Sequence, residues 1–290
     1  MANNNANNAK NNAKNNTNNN IKNNAKNNAN NNVKNTTNNN TKNNLYKLFY
    51  KEYYREVDFE NVLSGRAERI GPINDTIKSS TLKLIPCPIP IEGMDTTFRM
   101  KVLYPGLITG VGLVHDSKGI EGGYNLGMHF DYTYGMPIIY GSTVKGVLKE
   151  YFKEFKKSST KLSKEQLKKL PEEEQLFEGK RKNDKNETEN IPIYERDVFF
   201  DAVIVSGPTN NGTGGFLEDD YITPHKDPLS NPTPIKMLKI AAGTIIEFRF
   251  KLNGSNEEKK AKLDLFKEIL TTVGIGAKTN VGYGQLKETE

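Results

Sequence analysis

The composition breaks at residue 45, and that break limits where a fold can form. Residues 1–44 repeat asparagine with a tetrad rhythm, as in Ala9-Lys10-Asn11-Asn12 and Ala13-Lys14-Asn15-Asn16. A four-residue period drifts off any single face of a 3.6-residue helix, and asparagine is a weak helix former. Such a segment cannot bury enough apolar surface to offset its ordering entropy. Residues 1–44 are therefore expected to be a disordered low-complexity tail. The tail holds six lysines (Lys10, Lys14, Lys22, Lys26, Lys34 and Lys42) and no acid; without them 35 basic and 35 acidic residues remain, so the net charge of +6 belongs to the tail. A nucleic-acid site in the remainder must be a local patch, not a global field. The tail lysines add at most weak, salt-sensitive RNA affinity.

Cys87 is the one cysteine of the chain, which excludes an internal disulfide and fits a reducing interior. It lies in a proline-rich stretch with no base beside it and reads as a buried small apolar residue. No apolar run approaches the length of a membrane span, and the start lacks the apolar core of a signal peptide. A cytoplasmic protein without membrane contact is expected.

From Leu45 the pattern becomes that of a folded body. Leu45, Leu48, Phe49 and Tyr53 share one helical face. Residues 45–96 form a helical, proline-rich extension expected to pack on the core. Residues 97–104 alternate as a strand, and residues 106–136 are a glycine-rich insertion holding His115 and His129. A helix follows with Ser142 as its N-cap, a buried stripe from Val144 to Phe155, and Lys145, Lys149, Lys153 and Lys156 on another face. Gly146 predicts close packing against another backbone. The free N–H groups at the helix start suit a phosphate, against a simple solvated basic face.

Residues 157–190 read as a charged, solvated insertion with a short helix near Ser163–Leu170. Residues 198–205 read as one central strand, and 206–238 as a second irregular insertion. Residues 243–252 alternate clearly. A helix over 256–273 is capped by Ser255 and Glu258, and a last strand closes the chain. The order is βαββαβ, an α+β, ferredoxin-like (RRM-like) arrangement over residues 97–290 with long loop insertions.

Between the second helix and the last strand lies Gly274-Ile275-Gly276-Ala277-Lys278-Thr279-Asn280-Val281-Gly282-Tyr283-Gly284. It is not a Walker A loop, because Ala277 precedes Lys278-Thr279 where a glycine is needed. It is not a dinucleotide fingerprint, because Thr279 takes the third glycine place and the loop leads from helix to strand. Two readings remain: a helix cap with a glycine-rich turn, or a nest of backbone N–H groups for an anion, with Lys278 as a point charge.

Four stretches carry a family resemblance: Pro137 to Gly146, Val198 to Ala202, Asp220 to His225, and Gly274 to Gly284. Together they resemble the RAMP superfamily of CRISPR-associated proteins, and within it the sixth subunit of type III-B (Cmr) effector complexes. The likeness covers roughly residues 97–290 and leaves out the tail. Tyr140 stands where the family usually has proline. The resemblance implies a non-catalytic RNA-binding subunit near the 3′ end of the guide RNA, touching guide and target RNA and sibling Cmr subunits in antiviral defence. Carried over by position, Ser142, Lys145, Lys149, Gly274, Gly276, Lys278, Thr279 and Asn280 line the RNA groove, with no cofactor and no metal. Helix start and glycine loop are expected to converge. The rival readings are an endoribonuclease using His225 with Asp201, Asp219 and Asp220, or with His115 or His129 as base, and a pure assembly scaffold.

Overall fold

The computed structural model describes residues 44–65, 68–87, 97–110, 115, 120–209, 212, 215–223 and 234–289. The chain separates into two units, Met1–Asn44 and Leu45–Glu290. The tail expectation, apart from Asn44, lies outside the described residues, as does His225.

In chain order the second unit contains α1 (Leu45–Tyr50), α2 (Phe59–Leu63), β1 (Glu68–Arg69), α3 (Gly71–Lys78), β2 (Thr97–Val102), β3 (Ile120–Glu121), β4 (Ile138–Ile139) and α4 (Gly141–Ser158). Then come α5 (Lys164–Lys168), a π-turn (Glu174–Glu178), β5 (Lys180–Lys182), β6 (Thr188–Asn190), a 3-10 turn (Ile193–Glu195), β7 (Val198–Phe199) and β8 (Ala202–Ser206). β9 (Leu217–Ile222), β10 (Ile235–Ile240), β11 (Ile245–Lys251), α6 (Asn256–Val273), a second 3-10 turn (Thr279–Val281) and β12 (Leu286–Glu288) complete it.

The main sheet runs β12-β2-β11-β8-β4, with β7 also pairing β11, and every neighbour is antiparallel. β2 and β8 flank β11 and are reached by the crossover through α4, while α6 leads from β11 to β12. One face is apolar because β2 alternates: Phe98, Met100 and Val102 are buried while Arg99 and Lys101 are exposed. Phe98 stacks on Phe248 and Phe250 with centroids 5.3 and 5.5 Å apart, and Phe250 meets Phe266 of α6 at 5.3 Å. Burying each such ring contributes about 1.5–3 kcal/mol. The helices α4 and α6 pack together, and Val144, Leu148 and Phe152 of the first and Ile269 and Leu270 of the second are buried.

The opposite face carries charge. On β11, Glu247 and Arg249 are both buried: Arg249 donates to Glu247 at 2.9 Å, and Arg99 reaches the other Glu247 oxygen at 2.9 Å. The remaining Arg249 nitrogens donate to the carbonyls of Ile85 and Pro86 at 2.8 and 2.9 Å. The guanidinium fork thus ties the N-terminal extension across part of the sheet. Upstream, Tyr53 donates to Asn74 at 2.9 Å and accepts from the Tyr124 N–H at 2.8 Å, which joins the extension to the glycine-rich insertion.

Six expectations need correction. Cys87 is exposed, not buried. Ser142 is not the N-cap. α4 starts two residues earlier, at Gly141 with Tyr140 in the cap position, and the Gly141 N–H is taken by the Asp201 carboxylate at 2.7 Å. The close backbone approach belongs to Gly141, where a Cβ would strike the Phe199 carbonyl; nothing lies within 4 Å of a Cβ at Gly146. The stretch 198–205 is two strands: Phe200 still donates to the Arg249 carbonyl at 3.0 Å, and the break comes at Asp201, whose carboxylate meets that helix start. Residues 206–238 include an ordered antiparallel hairpin, β9–β10, in full register from Leu217↔Ile240 to Ile222↔Ile235. Residues 157–190 are more than solvated loop: Leu162, Leu170, Leu176 and Phe177 are buried, and Phe177 packs on Phe152 and Phe199.

Candidate nucleic-acid interface

The glycine loop is clamped along its length. Gly274 ends α6 at φ 74°, its N–H bonded to the Leu270 carbonyl at 3.1 Å. Ile275 is buried and donates to Gly284 at 3.0 Å; a Cβ on Gly284, at φ 71°, would collide with the Ile275 carbonyl oxygen. Ala277 donates to Ile108 at 2.9 Å, and Gly284 donates to Gly106 at 2.8 Å. Gly276, at φ 93°, leaves no room for a Cβ beside the Ile108 carbonyl. These glycines are fixed by close approach, not by a need for mobility.

At the tip Lys278 adopts the left-handed conformation, φ 60° and ψ 34°. Its carbonyl accepts from Val281 and Tyr283 at 3.1 and 3.3 Å, and the Thr279 carbonyl accepts from Gly282 at 3.0 Å. The carbonyls are thereby turned inward. The successive N–H groups of Lys278, Thr279 and Asn280 have no acceptor among the described residues. A left-handed residue followed by a helical turn aims consecutive N–H groups into one concavity, which suits an anion. Lys278 and Asn280 are exposed, Thr279 is half-buried, and Lys278 makes no ion pair among the described residues.

A side-chain strut holds the loop from behind. The Tyr283 hydroxyl donates to Asp220 at 2.8 Å, and Lys239, almost wholly buried, donates to the same oxygen at 2.9 Å. Burial pushes the Asp220 carboxyl up, but Lys239, Tyr283 and the Tyr221 N–H outweigh it and hold the carboxyl below the ordinary range. Burial and the Asp220 hydrogen bond push the Tyr283 phenol up to about 12. Asp219, the next residue on β9, accepts from Tyr124 at 2.5 Å, Lys78 at 2.9 Å and Lys236 at 3.1 Å. These too outweigh burial and keep it ionised. Both carboxylates are saturated by hydroxyl and ammonium donors.

The helix-start residues behave differently. Ser142 is exposed at the second position of α4, and Lys145 is half-exposed with no ion pair among the described residues. Lys149 is bonded to Glu178 at 2.9 Å, Lys153 pairs with Glu173 at 3.4 Å, and Lys156 with Glu172 at 3.0 Å. No hydrogen bond or ion pair joins the helix start to the glycine loop among the described residues. They are linked through the intervening insertion: Ala277 to Ile108, Thr109 to the His129 N–H at 3.0 Å, and the His129 ring against Tyr140 at 4.4 Å. His115 sits 4.4 Å from Phe49 and 4.3 Å from Tyr53 by ring centroids, where burial lowers its pKa to about 4.

Sequence reasoning missed the strut, because its partners come from distant positions. The tyrosine of the Gly282-Tyr283-Gly284 triplet was the available signal. Among the described residues no group of three or more His, Cys, Asp or Glu side chains is placed to hold a metal ion, and no helix is long and apolar enough to cross a membrane.

No curated protein sequence matches the chain. Among solved structures it is similar to a chain of a type III-B Cmr-beta complex bound to cognate target RNA, with 21% identity and a TM-score of 0.46. That match covers 67% of this chain and 58% of the other, so this chain spans little more than half the length of that relative. Cmr6 from Pyrococcus furiosus matches at 20% identity and a TM-score of 0.35, over 67% of this chain and 97% of that one. A chain of a type IV-B CRISPR complex matches at 14% identity and a TM-score of 0.42, over 67% and 89%. The sequence profile of the RAMP superfamily matches residues 99–287, from within β2 to within β12 and through the whole glycine loop. The chain belongs to the RAMP superfamily.

Proposed function

We propose that this protein is a non-catalytic RNA-binding subunit of a type III-B CRISPR (Cmr) ribonucleoprotein effector complex. It holds the guide RNA near its 3′ end and contacts sibling subunits, while guide and target pair with each other in the cytoplasm. Strands β2, β8, β11 and β12 with α4 and α6 are its ferredoxin-like βαββαβ core. The observation that carries this reading is the loop tip. Three successive backbone N–H groups without an acceptor and a lysine without an ion pair, among the described residues, sit on a turn clamped from both sides. That is a receptor for a backbone phosphate, and it reads no base edge. Membership of a superfamily of CRISPR-associated proteins supports RNA as the source of the phosphate.

The non-catalytic part rests on how the acids are spent. Asp201 caps α4, and Asp219 and Asp220 are each held by a lysine and a tyrosine hydroxyl. A ribonuclease needs a carboxylate or imidazole free to take a proton or a metal.

In the assembled complex, Lys278→Ala combined with Lys145→Ala is expected to weaken guide-RNA retention. Each lost phosphate contact should lower the salt slope of binding by about 0.7. An unchanged affinity and slope would leave an assembly scaffold as the better reading. RNA cleavage by the purified chain that disappears with His225→Ala would overturn the non-catalytic assignment.

A further inference from the structure

Beside the glycine loop stands a side chain that the fold has no use for. Tyr104 is 86% exposed, although the turn that carries it is held by backbone hydrogen bonds on both sides. Leu103 before it donates to Gln285 at 2.9 Å, Gly106 after it closes the turn onto Leu103 at 2.9 Å, and Gly106 in turn accepts from Gly284 at 2.8 Å. The adjoining Pro105 ring lies against Gly282, 3.6 Å from where a Cβ there would stand. Tyr132 and Tyr194 are exposed as well; what sets Tyr104 apart is a backbone bonded directly to the glycine loop, which presents its ring beside the phosphate site.

The ground on its other side is cationic. Lys101 of β2 and Lys287 of β12 are direct cross-strand partners, both exposed, and neither has an ion pair among the described residues. Like charges placed opposite each other destabilise a sheet pair unless an anion sits between them. The strap held by Arg249 crosses at the level of Thr97, the cross-strand partner of Arg249, whereas Lys101 pairs with Ile245 at the other end of β11. Along the β2–β12 pair the backbone order is therefore the Lys101–Lys287 pair, then Tyr104, then the loop that carries Lys278.

We infer that Tyr104 is a stacking platform for one unpaired RNA base, whose flanking phosphates are held by the Lys278 loop on one side and by Lys101 and Lys287 on the other. This rests on the RNA-binding reading above and extends it from the backbone to a base. Stacking on tyrosine accepts any base, since every base has a π-face, so the site would grip a single strand without selecting its sequence. A paired segment has no base to offer, which limits the site to unpaired nucleotides.

The test is binding of single-stranded oligouridine RNA to the full chain at several salt concentrations, with folding checked by circular dichroism. Tyr104→Ala is expected to weaken binding about 5- to 100-fold with the salt slope unchanged, because a ring and not a charge is lost. Tyr104→Phe is expected to bind as the parent does. Lys278→Ala and Lys101→Ala should each lower the slope. If Tyr104→Ala binds like the parent while Lys278→Ala lowers the slope, the platform is refuted and the phosphate site stands. If neither variant changes binding, both fall. If Tyr104→Ala leaves RNA affinity intact but lowers recovery of sibling subunits in the assembled complex, the ring serves a protein interface and the inference is overturned.

Discussion

Two sets of lysines look alike in the sequence and end in opposite states. Along α4, Lys149, Lys153 and Lys156 each find a glutamate from the segment 172–178. Around the glycine loop, Lys278, Lys101 and Lys287 find none among the described residues. The difference lies in what folds over them. Within the insertion after α4, the stretch 172–178 is acidic and is anchored by Leu176 and Phe177, so it returns carboxylates to the helix that precedes it. The turn at 103–106 and the loop at 274–285 bring only carbonyls, used internally. A basic stripe on a helix thus says little about nucleic acid until its acids are located, whereas cations left open on a rigid loop are available for an outside anion.

The largest effect should come from dismantling the open set's support. Gly284→Ala must resolve a collision with the Ile275 carbonyl at a positive φ, at a cost of about 3 kcal/mol. Thermal unfolding should register this as a fall of roughly 6–12 °C, and RNA binding should fall with it. Removal of Lys278 and Lys101 together should lower the salt slope by about 1.4 while stability moves by less than about 0.5 kcal/mol. A large stability loss instead would mean that these lysines have structural partners after all. Gly146→Ala, where nothing meets the added methyl group, should stabilise the protein by about 1 kcal/mol and leave RNA binding unchanged. The smallest effect is the sharpest test of the contrast. Glu178→Gln frees Lys149 and Lys180, and should steepen the salt dependence of RNA binding with no measurable change in melting temperature.

The elements read correctly from the sequence are those whose signal is local. β2 and β11 alternate on their own, α6 carries its Ser255 cap and its stripe, and the glycine loop is visible as composition. The elements missed depend on partners far along the chain. β9 reads Leu-Glu-Asp-Asp-Tyr-Ile, with no apolar alternation, and is stabilised by register with β10 and by Lys78, Lys236, Lys239 and Tyr283. Asp201 looks like one more strand residue until the Gly141 N–H is brought to it across sixty residues. For the site, Lys278 and the glycines were legible and their geometry was not. Lys149 could be told from Lys145 only once Glu178 was placed.

The Arg249 fork has a consequence for where this protein can be cut. Superfamily similarity begins at residue 99, yet Arg249 spends two of its nitrogens on the carbonyls of Ile85 and Pro86, and Tyr124 and Asn74 answer to Tyr53 still further upstream. A chain trimmed to residues 99–287 would keep every hallmark of its superfamily and lose the acceptors for a guanidinium that is already out of reach of bulk water. It would also bare the aromatic floor under Phe49 and Tyr53. The superfamily match and the hydrogen-bond network that closes the fold have different first residues.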